Sequence, residues 1–234
     1  MYEAVHARPD GDATVSRLAR AAAELGYDGV VVRNHSDAKA DYDPDEVAAA
    51  TGVDVVDGIE IRADDPQKAS GAVGNYRGKR TIVAVHGGTN AMNRFAVEQE
   101  RVDVLAHPMA GDGDVNHVLA NAARENGVRI EFDLSRVLRA TGGRRVQALQ
   151  GLRKLREIVD HCDAPFVVSA DARSHLQLRA PRELRAVGEV IGFDPEAIET
   201  GLHEWGEIAE RTREIRSETF IEPGVERGRY EKDH

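Results

Sequence analysis

"AELGYDGVVVRNH", Ala23 to His35, closes a helical pattern, turns at a glycine and runs through three valines into an arginine, an asparagine and a histidine. Upstream, Val15, Leu18, Ala22 and Leu25 recur at helical spacing, so Thr14–Leu25 reads as an amphipathic helix. Gly26 takes the left-handed position that ends a helix, and Gly29–Val32 reads as a strand. The same joint returns in "RENGVRIEF", Arg124 to Phe132, where Gly127 closes a helix before Val128–Phe132. Repeated joints of this kind are βα units, and βα units build a parallel sheet.

The remaining apolar runs are Tyr2–Val5, Val53–Ile61, Thr81–Val85, Val102–Ala106 and Pro165–Ser169, with helical patterns at Val115–Glu125 and Arg145–Val159. Seven such strands, or eight, predict a TIM-like (β/α) barrel. An open doubly wound sheet is the alternative, but no Gly-x-Gly-x-x-Gly follows the first strand. Residues 181–216 read as all-helical. One domain is expected over residues 1–216, with a polar tail over 217–234.

The length of 234 residues suits an α/β barrel. No apolar run approaches the roughly 18 residues of a membrane span, and no apolar segment follows a basic start, so neither a span nor a signal peptide is expected. The single cysteine, Cys162, fits a reducing compartment and a packing role. A cytoplasmic protein with no membrane partner is expected. The net charge of −10 weighs against a polyanionic partner, yet of 31 Lys and Arg only Lys39, Lys68, Lys79, Lys154 and Lys232 are lysine. An acidic, arginine-rich, lysine-poor chain suits a cytoplasm at very high salt. There long-range steering is screened, and short guanidinium contacts hold phosphate better than ammonium does.

In a parallel barrel, chemistry gathers where the strands end. These ends carry His6 and Arg8, then Arg33, Asn34 and His35, then Glu60 and Arg62, then His86, then His107. The last two give Glu131, Asp133 and Ser135, then Ser169, Asp171 and Arg173. His and carboxylate ligands on one rim could hold divalent ions for hydrolysis. The "GGTN" run at Gly87–Asn90 could cradle an anion, though a tight βα turn explains it equally well.

"VHAR" (from Val5), "RNH" (from Arg33), "GIEI" (from Gly58), "LAHP" (from Leu105) and "SADAR" (from Ser169) resemble, in order and spacing, the motifs of the polymerase-and-histidinol-phosphatase superfamily. That resemblance implies a distorted seven-stranded barrel with metal ligands at His6, His35, Glu60, His107 and Asp171. Three positions depart from it. Arg8 and Arg173 stand where histidines are wanted, and Asn34 replaces an acid. A free-standing metal-dependent phosphoesterase with a reduced site is therefore the alternative reading of function.

Residues 116–200 carry a more specific resemblance. Asn116-His117-x-Leu119-Ala120, Asn126, then Leu134, Ser135 and Leu138, the basic helix from Arg144, Ser169 with Ala172, "LRAPRELRAVGEVIG" (Leu178 to Gly192), and Pro195 with Ala197 are similar to the ribonuclease P protein component 3 family. Membership implies a barrel subunit that supports a catalytic RNA in endonucleolytic removal of the 5′ leader from precursor tRNA. It implies the ribonuclease P RNA and other ribonuclease P protein subunits as partners, with precursor tRNA reached through the complex. Catalysis is not expected in this chain. Nor is a cofactor, whereas divalent metal (Mg) is expected for the RNA-containing holoenzyme.

The basic residues suit such a role. Arg144, Arg145, Arg153 and Lys154 lie on one helix, and Arg173, His175 and Arg179 follow the last strand. With His117, these are the candidate RNA contacts. Arg179 is favoured because the family pattern keeps an arginine just before this proline-led helix. Such contacts position an RNA rather than read its sequence. Aromatic residues make up only 5% of the chain, so base stacking is a minor part of any RNA grip.

Overall fold

The computed structural model describes residues 1–217, with the backbone of 220–222 and 225–226. Seven strands form one parallel sheet in the order of the chain: β1 (Tyr2–Val5), β2 (Gly29–Val32), β3 (Asp54–Ile61), β4 (Ile82–His86), β5 (Val104–Ala106), β6 (Arg129–Asp133) and β7 (Phe166–Ser169). Between them lie α1 (Val15–Leu25), α2 (Pro44–Thr51), α3 (Pro66–Arg77), α4 (Asn90–Val97), α5 (His117–Asn126), α6 (Ser135–Arg139) and α7 (Gly142–Cys162). Then α8 (Pro181–Ile191) and α9 (Pro195–Ile215) follow. The expected TIM-like barrel is present. Its all-helical end is two helices, separated where Gly192 adopts φ 111° and closes α8. The tail expected over 217–234 lies outside the described residues, apart from Ser217 and two short antiparallel strands, β8 (Phe220–Glu222) and β9 (Val225–Glu226).

The helices begin and end where local chemistry places them. Thr14, Asp43, Asp65, Thr89 and Asn116 each accept a backbone N–H at a helix start. Gly26 ends α1 at φ 87°, a conformation costly for any side chain with a Cβ. The "GGTN" run is a βα turn: Thr89 caps α4, and Gly88 N–H donates to Asn93 Oδ1 at 3.1 Å.

Strand alternation divides the barrel into layers. Ala4, Val31, Val56, Ile82, Ala84, Val104, Ala106 and Val167 face inward. The opposite faces, such as Val5, Val30, Val55 and Val83, pack against the helices. Among the described residues β1 is joined to the chain just beyond β7 by one isolated bridge, Val5 to Ala172, and β1 and β7 do not pair as the neighbouring strands do. Two features close this seam. The buried Glu3 carboxyl accepts the Ala170 N–H at 2.9 Å, and α9 packs across β1 and β7. From α9 the fully buried Trp205 enters the inward apolar layer, its indole N–H donating to Val168 O at 2.9 Å. The barrel floor is therefore apolar and filled, and the inward-facing polar side chains lie above it.

Candidate functional site

Two residues further along the inward faces, the apolar layer gives way to charge. Ala4 leads to His6, Val31 to Arg33, Val56 through Gly58 to Glu60, Ala84 to His86, and Val167 through Ser169 to Asp171. Glu131 and Asp133 occupy the same face of β6. His107 is the exception to this rule, because Ala106 already faces inward. It adopts φ 50°, a region unfavourable for a non-glycine residue, and its ring joins the cluster. Asp171, at φ 48°, also leaves its strand in this conformation.

At the centre lies the guanidinium of Arg33, fully buried. Its Nη1 donates to Glu60 Oε2 at 2.8 Å, and its Nη2 donates to Glu131 Oε1 at 2.6 Å and Asp171 Oδ1 at 3.1 Å. Ser169 Oγ donates to Glu131 Oε1 at 2.7 Å, and His107 N–H donates to Glu131 Oε2 at 3.0 Å. Trp205 lies beneath, with Arg33 Cζ 5.7 Å from its ring centroid. An isolated guanidinium in such a place costs several kcal/mol of lost hydration (about 3–5 kcal/mol when a buried pair is broken), so three carboxyl partners are what make it tenable. The attraction of Glu131, Glu60 and Asp171 outweighs the burial that opposes charge, and Arg33 stays protonated at every accessible pH.

Around this centre runs an imidazole–carboxylate belt. Asp10 Oδ2 lies 2.7 Å from His6 Nδ1 and 2.8 Å from His35 Nδ1, and also accepts the His35 backbone N–H at 2.9 Å. His86 Nδ1 pairs with Glu60 Oε1, and His107 Nδ1 lies 3.2 Å from Asp133 Oδ2. His6 Nε2 sits 2.9 Å from Asp171 Oδ1, close enough for charge pairing but poorly aligned for a hydrogen bond.

Burial pulls His6 toward neutrality, but the Asp10 hydrogen bond and the neighbouring Asp171 outweigh it and raise its pKa. Burial also opposes charge on His107, yet Glu60 and Glu131 push it up to about 10. Burial would raise Asp10, Glu60 and Asp171; His6 and His35 at Asp10, Arg33 and His107 at Glu60, and His6 and Arg33 at Asp171 hold them below the usual carboxylate range instead. At the rim, Arg173 Nη1 reaches Asp10 Oδ1 at 3.3 Å, and Arg139 donates to the Ala170 and Asp171 carbonyls. The carboxyl groups Asp10, Glu60, Glu131, Asp133 and Asp171 thus stand against the guanidinium groups of Arg33, Arg139 and Arg173 and the imidazoles of His6, His35, His86 and His107.

The positions that depart from the superfamily motif are also accounted for. Arg8 turns outward, its Nε donating to Asp12 O, and does not reach the cluster. Asn34 is a backbone clamp: Nδ2 donates to Ala7 O and Ala38 O, and Oδ1 accepts the Ala7 N–H. His6, His35, Glu60, His107 and Asp171, the implied ligands, do come together. Three sets among the described residues bring ligand atoms within metal-binding reach of one another: His6–Asp10–His35, His6–His107–Asp171 and His35–Glu60–His86. Asp10 and the central role of Arg33 were not read as parts of the site from the sequence, and Glu131 was read as a strand-end residue but not as a partner of Arg33.

Apart from Arg173, whose guanidinium reaches Asp10 at the rim, the candidate RNA contacts lie outside this cluster. Arg144 and Arg145 are exposed near the start of α7, with Arg153 and Lys154 about two turns on. Arg153 donates to Val190 O in α8, and Lys154 pairs with Asp114 before α5. His117 is exposed at the start of α5, its ring 5.1 Å from His161 of α7. His175 is half-buried, with Nδ1 lacking a partner among the described residues. Arg179 curls back on its own loop, donating to Leu178 O at 2.8 Å and Leu176 O at 3.2 Å. Tyr27, in the α1–β2 joint, ties down the Arg179 carbonyl. Among the described residues no hydrogen bond or ring contact joins the α7 group to Arg173, His175 or Arg179, so the structure spreads these residues over several elements.

Compared with known proteins, residues 1–217 match the family model described as RNase P subunit p30. The chain belongs to the RNase P p30 family. Within it, the ribonuclease P protein component 3 of Natronomonas pharaonis is 67% identical, covering 96% of this chain and 94% of that one. The protein of the same name from Haloarcula marismortui is 64% identical, with 96% of each chain covered. Both come from haloarchaea, in keeping with the acidic, lysine-poor composition. In structure, the chain resembles one from a cryo-EM structure of archaeal ribonuclease P with mature tRNA, at a TM-score of 0.83 and 24% identity over the whole of both chains. It also shares its fold with a histidinol phosphate phosphatase from Lactococcus lactis, at a TM-score of 0.58 and 10% identity over 82% of this chain and 94% of that one.

Proposed function

We propose that this chain is a protein subunit of ribonuclease P, supporting a catalytic RNA in removing the 5′ leader of precursor tRNA and performing no bond cleavage itself. Family membership over nearly the whole chain carries the first half of this reading. The second half rests on Arg33: a buried guanidinium sits among the carboxyl groups that a hydrolytic metal centre would need, and it engages three of them. The partners are the ribonuclease P RNA and the other protein subunits, in the cytoplasm, and the divalent metal of the reaction, Mg, is held with the RNA. Arg144, Arg145, Arg153 and Lys154 on α7, His117 on α5, and Arg173, His175 and Arg179 before α8 are the positions offered to phosphate.

Reconstitution tests this reading. Leader cleavage assembled from RNA and the protein subunits in high salt should depend on the RNA and be stimulated by this chain. Arg179→Ala should weaken assembly or activity. The superfamily resemblance favours a second reading, a free-standing phosphoesterase. It would require the purified chain to hydrolyse a phosphomonoester with bound Mn or Zn, and His107→Ala to abolish that activity.

A further inference from the structure

We propose that Arg33 is the resident cation of this barrel: its guanidinium supplies, as a side chain, the positive charge that a His–carboxylate cluster would otherwise take from a divalent ion, and it keeps such ions out. The three candidate ligand sets each meet an obstacle. His6–His107–Asp171 shares Asp171 Oδ1 with Arg33, whose Nη2 lies 3.1 Å away, and in His35–Glu60–His86 the imidazoles face Glu60 Oε1 while Arg33 Nη1 holds the other oxygen of the same carboxyl at 2.8 Å. A metal at ordinary bonding distance from that Asp171 oxygen would lie within about 5 Å of the guanidinium, with no water layer between them to screen two positive charges. In the third set, Asp10 Oδ2 is committed to both imidazole Nδ1 atoms and the His35 backbone N–H, and Arg173 reaches the other oxygen.

The setting shows that Arg33 is built in rather than incidental. Strand alternation from Val31 points it inward, and Trp205 supports it from below. Glu131, the partner at 2.6 Å, is itself held by Ser169 Oγ and His107 N–H. A planar fork bridging Glu60, Glu131 and Asp171 joins β2, β3, β6 and the end of β7 across the barrel mouth. A divalent ion would do the same with the same donors. The imidazoles and carboxyl groups then persist as parts of an internal ion-pair lattice. This inference concerns only the cluster and holds whether or not the chain acts on RNA.

The test uses the full chain in molar KCl, with Mn2+ and Zn2+ as the probes. Wild-type protein dialysed against either ion and then against buffer should retain substoichiometric metal, and its melting midpoint should not respond to EDTA. Arg33→Met should lower the midpoint by roughly 10 °C. It should also retain about one equivalent of Mn2+ or Zn2+, which restores part of that loss, and a second change, His107→Ala, should remove the metal again. If Arg33→Met does not fold, Arg33→Gln is read in the same way. Stoichiometric metal in the wild type with a midpoint that falls in EDTA would overturn the proposal, as would a folded Arg33 variant that gains no metal.

Discussion

The Tyr27 hydroxyl donates a 2.8 Å hydrogen bond to the carbonyl of Arg179, linking the joint between α1 and β2 to the loop that leads into α8. Tyr27 is 3% exposed, so the loop carrying the favoured RNA contact is anchored from the core. Tyr27→Phe removes this anchor while keeping the ring. It should cost about 1–3 kcal/mol in denaturant unfolding, because the Arg179 carbonyl loses its partner. It should also impair reconstituted cleavage less than Arg179→Ala does. A Tyr27→Phe protein of unchanged stability would show that the anchor is idle.

Tyr27 Oη also lies 3.2 Å from Glu3 Oε2, and the burial of this carboxyl gives stability a pH dependence. Burial, outweighing the Ala170 N–H and Tyr27 bonds, raises the Glu3 carboxyl from 4.5 to about 8. The folded chain therefore holds this proton more tightly than the unfolded chain. That contribution is full below about 4.5 and is lost as pH rises through about 8. His107, raised from 6.5 to about 10, behaves the same way over a higher window. Melting midpoints should fall steadily from mildly acidic to alkaline pH. Glu3→Gln, which is neutral throughout, should flatten the part of the curve below about pH 8. Parallel curves for wild type and Glu3→Gln would refute this assignment.

Glu131→Gln tests the central ion pair from the acid side. The change preserves size but leaves Arg33 without its shortest partner and Ser169 without a charged acceptor. Breaking a buried pair from one side costs about 3–5 kcal/mol, far more than losing a solvent-screened pair such as Lys68–Asp64. Denaturant unfolding of Glu131→Gln beside Asp64→Asn measures the contrast. Equal losses would mean that the cluster is wetter than its burial indicates.

Asn34→Asp restores the acid of the superfamily motif. Here it should not create a ligand, because both side-chain atoms are committed to backbone groups of Ala7 and Ala38. An aspartate places an unpartnered oxygen against those two carbonyls. The expected loss is about 1–3 kcal/mol with no gain in metal retention. Metal binding by this variant alone would show that the loop can rearrange.

Much of the barrel was legible because period and punctuation agree. Val30–Val32 after Gly26, and Ile130 and Phe132 after Gly127, are strands that begin where the helix caps end. The polar rim was legible too, since His6, His35, Glu60, His107 and Asp171 stand at strand ends and do converge. Three things were not. Asp10 lies in a loop beyond Arg8, where no periodicity points to it, and only the folding of that loop brings it to His6 and His35. His107 reaches the cluster through a left-handed backbone that alternation does not encode. Arg33 faces inward by simple alternation from Val31, but an arginine in a barrel interior becomes plausible only once Glu60, Glu131 and Asp171 are seen to surround it. The basic residues show the opposite limit: charge on α7 and before α8 is visible in the sequence, whereas Arg179 bonding its own loop and Lys154 pairing with Asp114 depend on tertiary structure.

In the proposed role this chain assists an RNA and does not cut. Cleavage of precursor tRNA should be followed with the RNA and the other protein subunits present, with this chain added or withheld, and with this chain alone in Mg2+, Mn2+ or Zn2+. Leader removal is expected only where the RNA is present, at a rate raised by the chain, with none from the chain alone under any metal. Leader removal by the purified chain without RNA, lost in His107→Ala, would contradict this role.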